Sequence, residues 1–202
     1  MNRSKKCVFL CHCLLAQGVM AKGLVKLSPA IVKQVLVFCM ENDINVFQMP
    51  CPELLCLAGG FGRNAHGKKW YEDRGLRETS SQIAKQQADY MLRLIRAGFE
   101  VFGIIGLEFS PACAPNYLNR GCRIVKGRGI YMEELEQELG RRGINVRFIG
   151  VNQRWARKLA VELDECVRQG NWRVSAAQAA DAVKSPEYLV APFVTSLSQQ
   201  GE

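Results

Sequence analysis

The sequence predicts an open α/β fold, a mainly parallel sheet with helices on both faces in three α/β/α layers. Three observations lead there. Short runs rich in Val, Ile and Phe alternate with longer stretches whose apolar residues recur at helical spacing. Three times a helix end steps directly into such a run, in "MENDINVF", "RAGFEVFG" and "RRGINVRF", which is the hinge of a repeating βαβ unit. The 202 residues, 48% hydrophobic and 23% charged, suffice for one globular domain with a full core.

The strands are read at Lys6–Leu10, Ile44–Met49, Phe99–Ile105 and Ile144–Val151, each bounded by turn signals. The first helix is read from the Ser28-Pro29 cap to about Glu41. The second opens at Thr79 or Ser80, carries Ala84, Ala88, Met91, Leu92 and Ile95 on one face, and stops at Gly98. The third runs from Ile130 to about Arg142 and a fourth covers residues 152–170. Strands alternating with helices argue a parallel sheet with right-handed crossovers, a Rossmann-like layering. From about Ser175 the pattern changes to two short helices, the second opened by Ser185-Pro186. The expected organisation is an α/β domain over 1–174 and a helical tail over 175–202, packed on the domain or serving as an oligomer contact.

Composition narrows the function classes. No stretch of eighteen uninterrupted apolar residues is present, so no transmembrane helix is expected. "MNRSKKCVFLCHCLLA" has the outline of a signal peptide, but His12 and three cysteines interrupt it and no small-x-small site follows, so it is read as a first strand. Nine cysteines, an odd number in a chain of this size, argue against a disulfide framework and for a reducing cytoplasm. A formal charge of +8 favours anionic partners such as nucleotides, RNA or phosphorylated metabolites, or serves only as a solubilising surface.

Cys39 and Cys166 lie in apolar or helical patterns and read as core thiols. Three others do not. Cys13 follows the first strand, Cys51 the second and Cys113 the third. Ligands of open parallel sheets bind beyond the carboxyl ends of the strands, so three thiols from three loops converge on that edge. Three thiolates suit a soft group: zinc, copper(I) or an iron–sulfur cluster. Cys-x2-Cys pairs typical of zinc are missing, and three cysteines on a cubane leave one iron open as a Lewis acid. On spacing alone, three unrelated small residues in loops are the plainer reading.

"CHCLL" at 11–15, "QMPCPELL" at 48–55 and "GLEFSPACAPN" at 106–116 together resemble the 2-thiouracil desulfidase family, over roughly residues 6 to 150. The resemblance is to a sub-branch with Cys-His-Cys-Leu-Leu. It implies a [4Fe-4S] cluster on Cys13, Cys51 and Cys113, with one iron open. Cys11 competes with Cys13, which directly precedes Leu14-Leu15 as the family's ligand does. Glu53 then takes the place of the family's general acid or base, and Ser110 that of the residue positioning water or a ring nitrogen. The implied reaction converts a thione to a carbonyl, with sulfur retained at the open iron. The chain departs from the family pattern by inserting "LLCLA" before Gly59-Gly60 and by having Ala114-Pro115 after Cys113.

Two basic stretches, Arg63–Arg77 and Arg120–Arg128, suggest a grip on a nucleotide phosphate, with Tyr71 and Arg77 as substrate contacts; a solvated loop is the plain alternative. Trp70 is a further aromatic that suits stacking on a base. His12 suits a donor to a cluster sulfur or a buried histidine. The expected substrate is a thiolated pyrimidine or its nucleotide. Two other classes stand beside the enzyme: an iron–sulfur electron carrier or sulfur-relay protein acting on tRNA, which needs a fourth ligand or a broad basic face, and a structural zinc protein.

Overall fold

The structure, a computed structural model, describes residues 3–26, 28–57 and 60–152. Cys166, the helix expected over 152–170 beyond Asn152, and the tail over 175–202 lie outside them. Four strands form a parallel sheet in the order β2-β1-β3-β6: β1 (Lys6–Cys11), β2 (Asn45–Met49), β3 (Glu100–Leu107) and β6 (Phe148–Val151). Between β3 and β6 the chain forms a separate antiparallel hairpin of β4 (Tyr117–Arg120) and β5 (Arg123–Lys126). The main helices are α2 (Lys33–Glu41), α5 (Leu76–Arg96) and α6 (Ile130–Arg141). Three single-turn helices, α1 (His12–Leu15), α3 (Pro52–Cys56) and α4 (Lys68–Glu72), lie in the loops that follow β1 and β2. The fold is the expected open α/β sheet. No helix among the described residues is long and apolar enough to cross a membrane.

The central strands are apolar because they are covered on both faces. Every residue of β1 from Cys7 to Cys11 is buried, as is β3 from Val101 to Leu107. α5 buries Ile83, Ala84, Ala88, Met91, Leu92 and Ile95, one stripe at helical spacing, and packs along α6. Phe9, Phe47, Tyr90 and Phe99 close an aromatic cluster on the β2 side, with centroids 5.4–6.4 Å apart.

The three helix-to-strand hinges share one geometry. Asp43, Gly98 and Gly143 each take positive φ, at 54°, 82° and 64°. The next residue's N–H then reaches back five residues: Ile44 to Cys39 O, Phe99 to Leu94 O and Ile144 to Leu139 O, each at 2.9 Å. That is the Schellman closure, which satisfies a helix-end carbonyl while turning the chain into the sheet.

Two helix starts differ from the sequence expectation. α2 begins at Lys33 rather than at Ser28-Pro29. Residues 28–32 are instead tied to the first loop, Gln17 N–H donating to Ala30 O at 2.6 Å and Val32 N–H to Leu14 O at 3.0 Å. These long-range bonds hold Val32 extended, so local capping preference loses. α5 begins at Leu76, after Gly75 at φ 80°, and Thr79 Oγ1 donates to Gly75 O inside the first turn. The final strand is shorter than expected, since Ile144 and Val146 are buried but only Phe148–Val151 pairs with β3.

A cysteine-lined cavity at the carboxyl edge of the sheet

β1 lies between β2 and β3, so the loops leaving these three strands are neighbours. The chain passes from β1 to β2 on one side and to β3 on the other, a topological switch of the kind that opens a crevice. A cavity of about 390 Å³ occupies this edge. Cys13, Cys51 and Cys113 line it together with Glu53, Ser110 and Tyr71.

The loop after β1 carries Cys13 in the single turn α1. Gln17, fully buried, donates from its side-chain amide to Cys13 O at 2.5 Å and fixes that turn. Cys11 is buried at the end of β1, its Sγ stands 3.6 Å from Cys13 Sγ, and it is hydrogen-bonded to Cys113. Burial, with these two thiols beside it, pushes the Cys11 thiol well above its ordinary range. Cys11 is absent from the cavity wall. His12 is also off the wall, its Nδ1 meeting Gln48 Nε2, and partial burial lowers its ring below the usual histidine value.

The loop after β2 places Cys51 immediately before α3, whose first-turn residues include Pro52 and Glu53. Burial pushes the Cys51 thiol up to about 12, the Leu54 N–H only partly offsetting it. Glu53 is buried, and Arg63 Nε and Nη2 both donate to its Oε2, at 2.8 and 2.7 Å. Arg63 Nη1 is held in turn by Val19 O at 2.7 Å and Gly60 O at 3.1 Å. The Tyr71 hydroxyl bonds to both Glu53 and Arg63, and burial next to the Glu53 charge pushes it up to about 12. Glu53, Arg63 and Tyr71 are therefore one hydrogen-bonded unit on the cavity wall.

The loop after β3 is built on its own backbone. Ser110 Oγ accepts from the N–H groups of Ala112 at 3.3 Å and Cys113 at 3.0 Å. The Cys113 thiol takes hydrogen bonds from Cys11 and Ser110 that pull it down, yet burial leaves it raised. α6 starts against this turn: Gly129 N–H donates to Ala114 O, Ile130 to Pro111 O and Tyr131 to Ala112 O, at 2.8 to 3.0 Å. Two glycines make the approach possible. A Cβ on Gly106 would strike Cys113 O and stand 2.9 Å from Pro115 Cγ, and one on Gly129 would strike the Ala112 carbonyl.

Three features of the site escape sequence reading. Glu108, buried at the end of β3, accepts from Tyr117 N–H at 2.9 Å, Asn116 N–H at 3.2 Å and Asn116 Nδ2 at 2.9 Å, and so ties down the loop after Cys113. Phe109 sits at φ 67°, a conformation non-glycine residues seldom adopt and one that clusters at functional sites. The β4–β5 hairpin brings Leu118, Asn119 and Gly121 to the cavity. Its signal was present as Gly121 at the first turn position, φ 61°, between two short runs, but the stretch reads first as basic.

Arg77 is placed away from the cavity. It pairs with Glu72 at 2.6 Å, Glu134 at 2.8 Å and Glu133 at 3.1 Å, between α4, α5 and α6. Three carboxylates take the charge that the sequence reading offers to a substrate. Much of the first basic stretch is spent similarly, Lys68 on Glu133 at 2.5 Å and Lys69 on Asp73. Trp70 stacks on His66, with centroids 3.8 Å apart, and Arg74 caps the indole at 3.8 Å. Of these three only His66 faces the cavity.

All eight described cysteines are free thiols. Among the described residues no three His, Cys, Asp or Glu side chains gather closely enough to hold a single metal ion. No family model matches the chain, and no solved structure matches it. The chain is similar to the "Uncharacterized protein MJ0003" of Methanocaldococcus jannaschii, 27% identical over 147 residues, which cover 73% of this chain and 86% of that protein.

Proposed function

We propose that the protein is an iron–sulfur-dependent desulfidase that converts the thione of a thiolated pyrimidine, or of its nucleotide, to a carbonyl. The observation that carries this reading is the shared cavity: thiols from three separate loops face one space together with an ion-paired carboxylate. The donor set fits a [4Fe-4S] group in kind. Cys13, Cys51 and Cys113 are all free and soft, and they are spread around a cavity rather than drawn to one point. A multi-iron group spans more space than a single ion and needs such separation. When bound through three thiolates, the cluster supplies an open iron as a Lewis acid that draws electron density from a thione.

The reaction balances as thione plus water giving carbonyl plus hydrogen sulfide. Thione and carbonyl carbon share an oxidation level, so no net electron is exchanged. Glu53 takes the proton of the attacking water, being held as a carboxylate partner of Arg63. Arg63, anchored by two backbone carbonyls, keeps that carboxylate facing the cavity. Tyr71, bonded to both, carries a proton between the pair and the departing sulfur or ring nitrogen. Ser110 spends its oxygen on two backbone N–H groups, so its part is to shape the Cys113 turn, with its hydroxyl proton left for that thiol. The apolar wall of Met20, Leu24, Leu107 and Leu118 suits a flat heterocycle.

A second reading is favoured by one contact. Cys11 bonds to Cys13 and Cys113, which would make it a fourth thiolate and the centre a closed electron-transfer cluster. One experiment separates the readings. Protein reconstituted anaerobically is assayed for iron, sulfide and zinc, then for release of sulfide and oxo base from 2- and 4-thiouracil and their ribonucleotides. The desulfidase reading expects about four iron and four sulfide per chain, loss of both in Cys13→Ser, Cys51→Ser and Cys113→Ser, retention in Cys11→Ser and Cys39→Ser, and sulfide release. Loss of the cluster in Cys11→Ser, with none in Cys13→Ser, overturns the ligand assignment. Stoichiometric zinc, or a full cluster that releases no sulfide from any of these thiones, overturns the function.

A further inference from the structure

One buried polar group has no place in the chemistry above. Tyr131, the second residue of α6, is fully buried, and its hydroxyl finds no hydrogen-bond partner among the described residues. Sulfur accepts hydrogen bonds over longer distances than oxygen, yet no thiol is in reach. The ionisable groups that act on this hydroxyl are nonetheless three thiols, Cys113, Cys11 and Cys51. Tyr131 is buried in the core and does not line the cavity.

Its position is fixed by the same contacts that hold Cys113. The Tyr131 N–H donates to Ala112 O at 3.0 Å, the neighbouring Ile130 N–H donates to Pro111 O at 2.9 Å, and Gly129 lets the two backbones touch. The turn bearing Cys113 and the first turn of α6 are thus one unit, and the backbone that carries the phenol is part of it. An O–H buried without an acceptor loses its hydration for nothing in return. A phenylalanine of the same shape would avoid that cost, so the hydroxyl calls for an acceptor supplied by something else.

We propose that Tyr131 is a positioning residue for the sulfur-rich group held by Cys13, Cys51 and Cys113, its hydroxyl donating a hydrogen bond to a thiolate or inorganic sulfide of that group. This inference rests on the iron–sulfur reading. A donor on a cluster sulfur favours the more negatively charged, reduced form and so raises the reduction potential. The hydroxyl is unsatisfied before the group binds and satisfied afterwards, so its contribution to stability belongs to the loaded protein alone.

The test compares full-length parent and Tyr131→Phe, each metal-free and anaerobically loaded, by iron content, redox titration of the cluster and thermal melting. Tyr131→Phe is expected to bind the same iron, with its midpoint potential shifted to more negative values. Metal-free, the variant melts at or above the parent's temperature; loading raises its melting temperature by less than it raises the parent's. An unchanged potential with an equal gain on loading overturns the proposal. So does an equal loss of melting temperature in both forms, which marks a hydroxyl satisfied by buried water or by packing. Iron uptake by the parent is the separate control: its failure removes the iron–sulfur reading, and the Tyr131 assignment with it, whereas normal uptake with an unmoved potential removes Tyr131 alone.

Discussion

The two walls of the cavity are built by opposite means. On the wall after β2, the carboxylate is held by side chains: Glu53 by Arg63, with Tyr71 bonded to both. On the wall after β3, polar side chains bond to backbone: Glu108 to the Asn116 and Tyr117 N–H groups, Ser110 to those of Ala112 and Cys113. Both walls present a buried carboxylate and a cysteine. A side chain committed to several backbone groups cannot leave them without unfolding its loop, so it sets shape. One bonded to other side chains can exchange a partner for a ligand or pass a proton along. The Glu53 wall is therefore the place for chemistry, and the Glu108 wall is its scaffold.

This contrast breaks most sharply at Glu53. Glu53→Gln keeps the shape but removes proton transfer, and a loss of about 10²–10⁴ in turnover is expected. Iron content and the visible spectrum of the loaded protein stay with the parent. Glu108→Gln, assayed alongside, keeps turnover within a few fold but lowers the unfolding free energy by about 1–3 kcal/mol. A reversal of the two phenotypes removes the division of labour between the walls.

The thiol of the Glu53 wall should respond steeply to pH. In the metal-free protein Cys51 is raised by burial to about 12, so it is a neutral thiol at pH 7 and its thiolate fraction grows tenfold per pH unit below that value. Alkylation at Cys51, followed by peptide mass spectrometry, is expected to accelerate about a thousandfold from pH 7 to 10. A rate already at its plateau by pH 8 contradicts this.

The scaffold wall is tested through its glycines. Gly129→Ala drives a Cβ into the Ala112 carbonyl and to 2.7 Å from Cys113 N. Overpacking against backbone costs about 1–3 kcal/mol, read as a lower denaturant midpoint, and iron content falls as the Cys113 turn shifts. Ser110→Ala leaves the Ala112 and Cys113 N–H donors without their acceptor and should cost about 1 kcal/mol, with a smaller loss of turnover than Glu53→Gln. The smallest effect is expected at Arg77→Ala. Its three ion pairs are partly exposed and such pairs are worth about 0–1 kcal/mol. Thione affinity and turnover stay within twofold of the parent, and a large rise in KM would return Arg77 to the substrate.

Much of the fold was legible because it is written in local chemistry. The hinges at Asp43, Gly98 and Gly143 each need a residue that tolerates positive φ, and two carry the glycine that best supplies it. The buried runs of β1 and β3 leave little reading other than central strands. The convergence of Cys13, Cys51 and Cys113 followed from their places just beyond three strand ends, once those strands proved to be neighbours.

The tertiary structure decided what depends on partners far away in the chain. Nothing near Ser28 announces that Gln17 and Leu14 will claim the backbone of residues 30–32 and delay α2 to Lys33. Arg63 and Arg77 occur in one basic stretch and look alike there, yet one is ten residues from its carboxylate and turned into the cavity, and the other meets α6 more than fifty residues on. Cys11 and Cys13 are two residues apart with their sulfurs in contact, and only the fold puts Cys13 on the cavity wall and leaves Cys11 buried and off it. Pattern and turn chemistry act over a few residues and specify elements. Charge pairing, burial and the direction of a side chain are set by whatever the packed chain brings alongside.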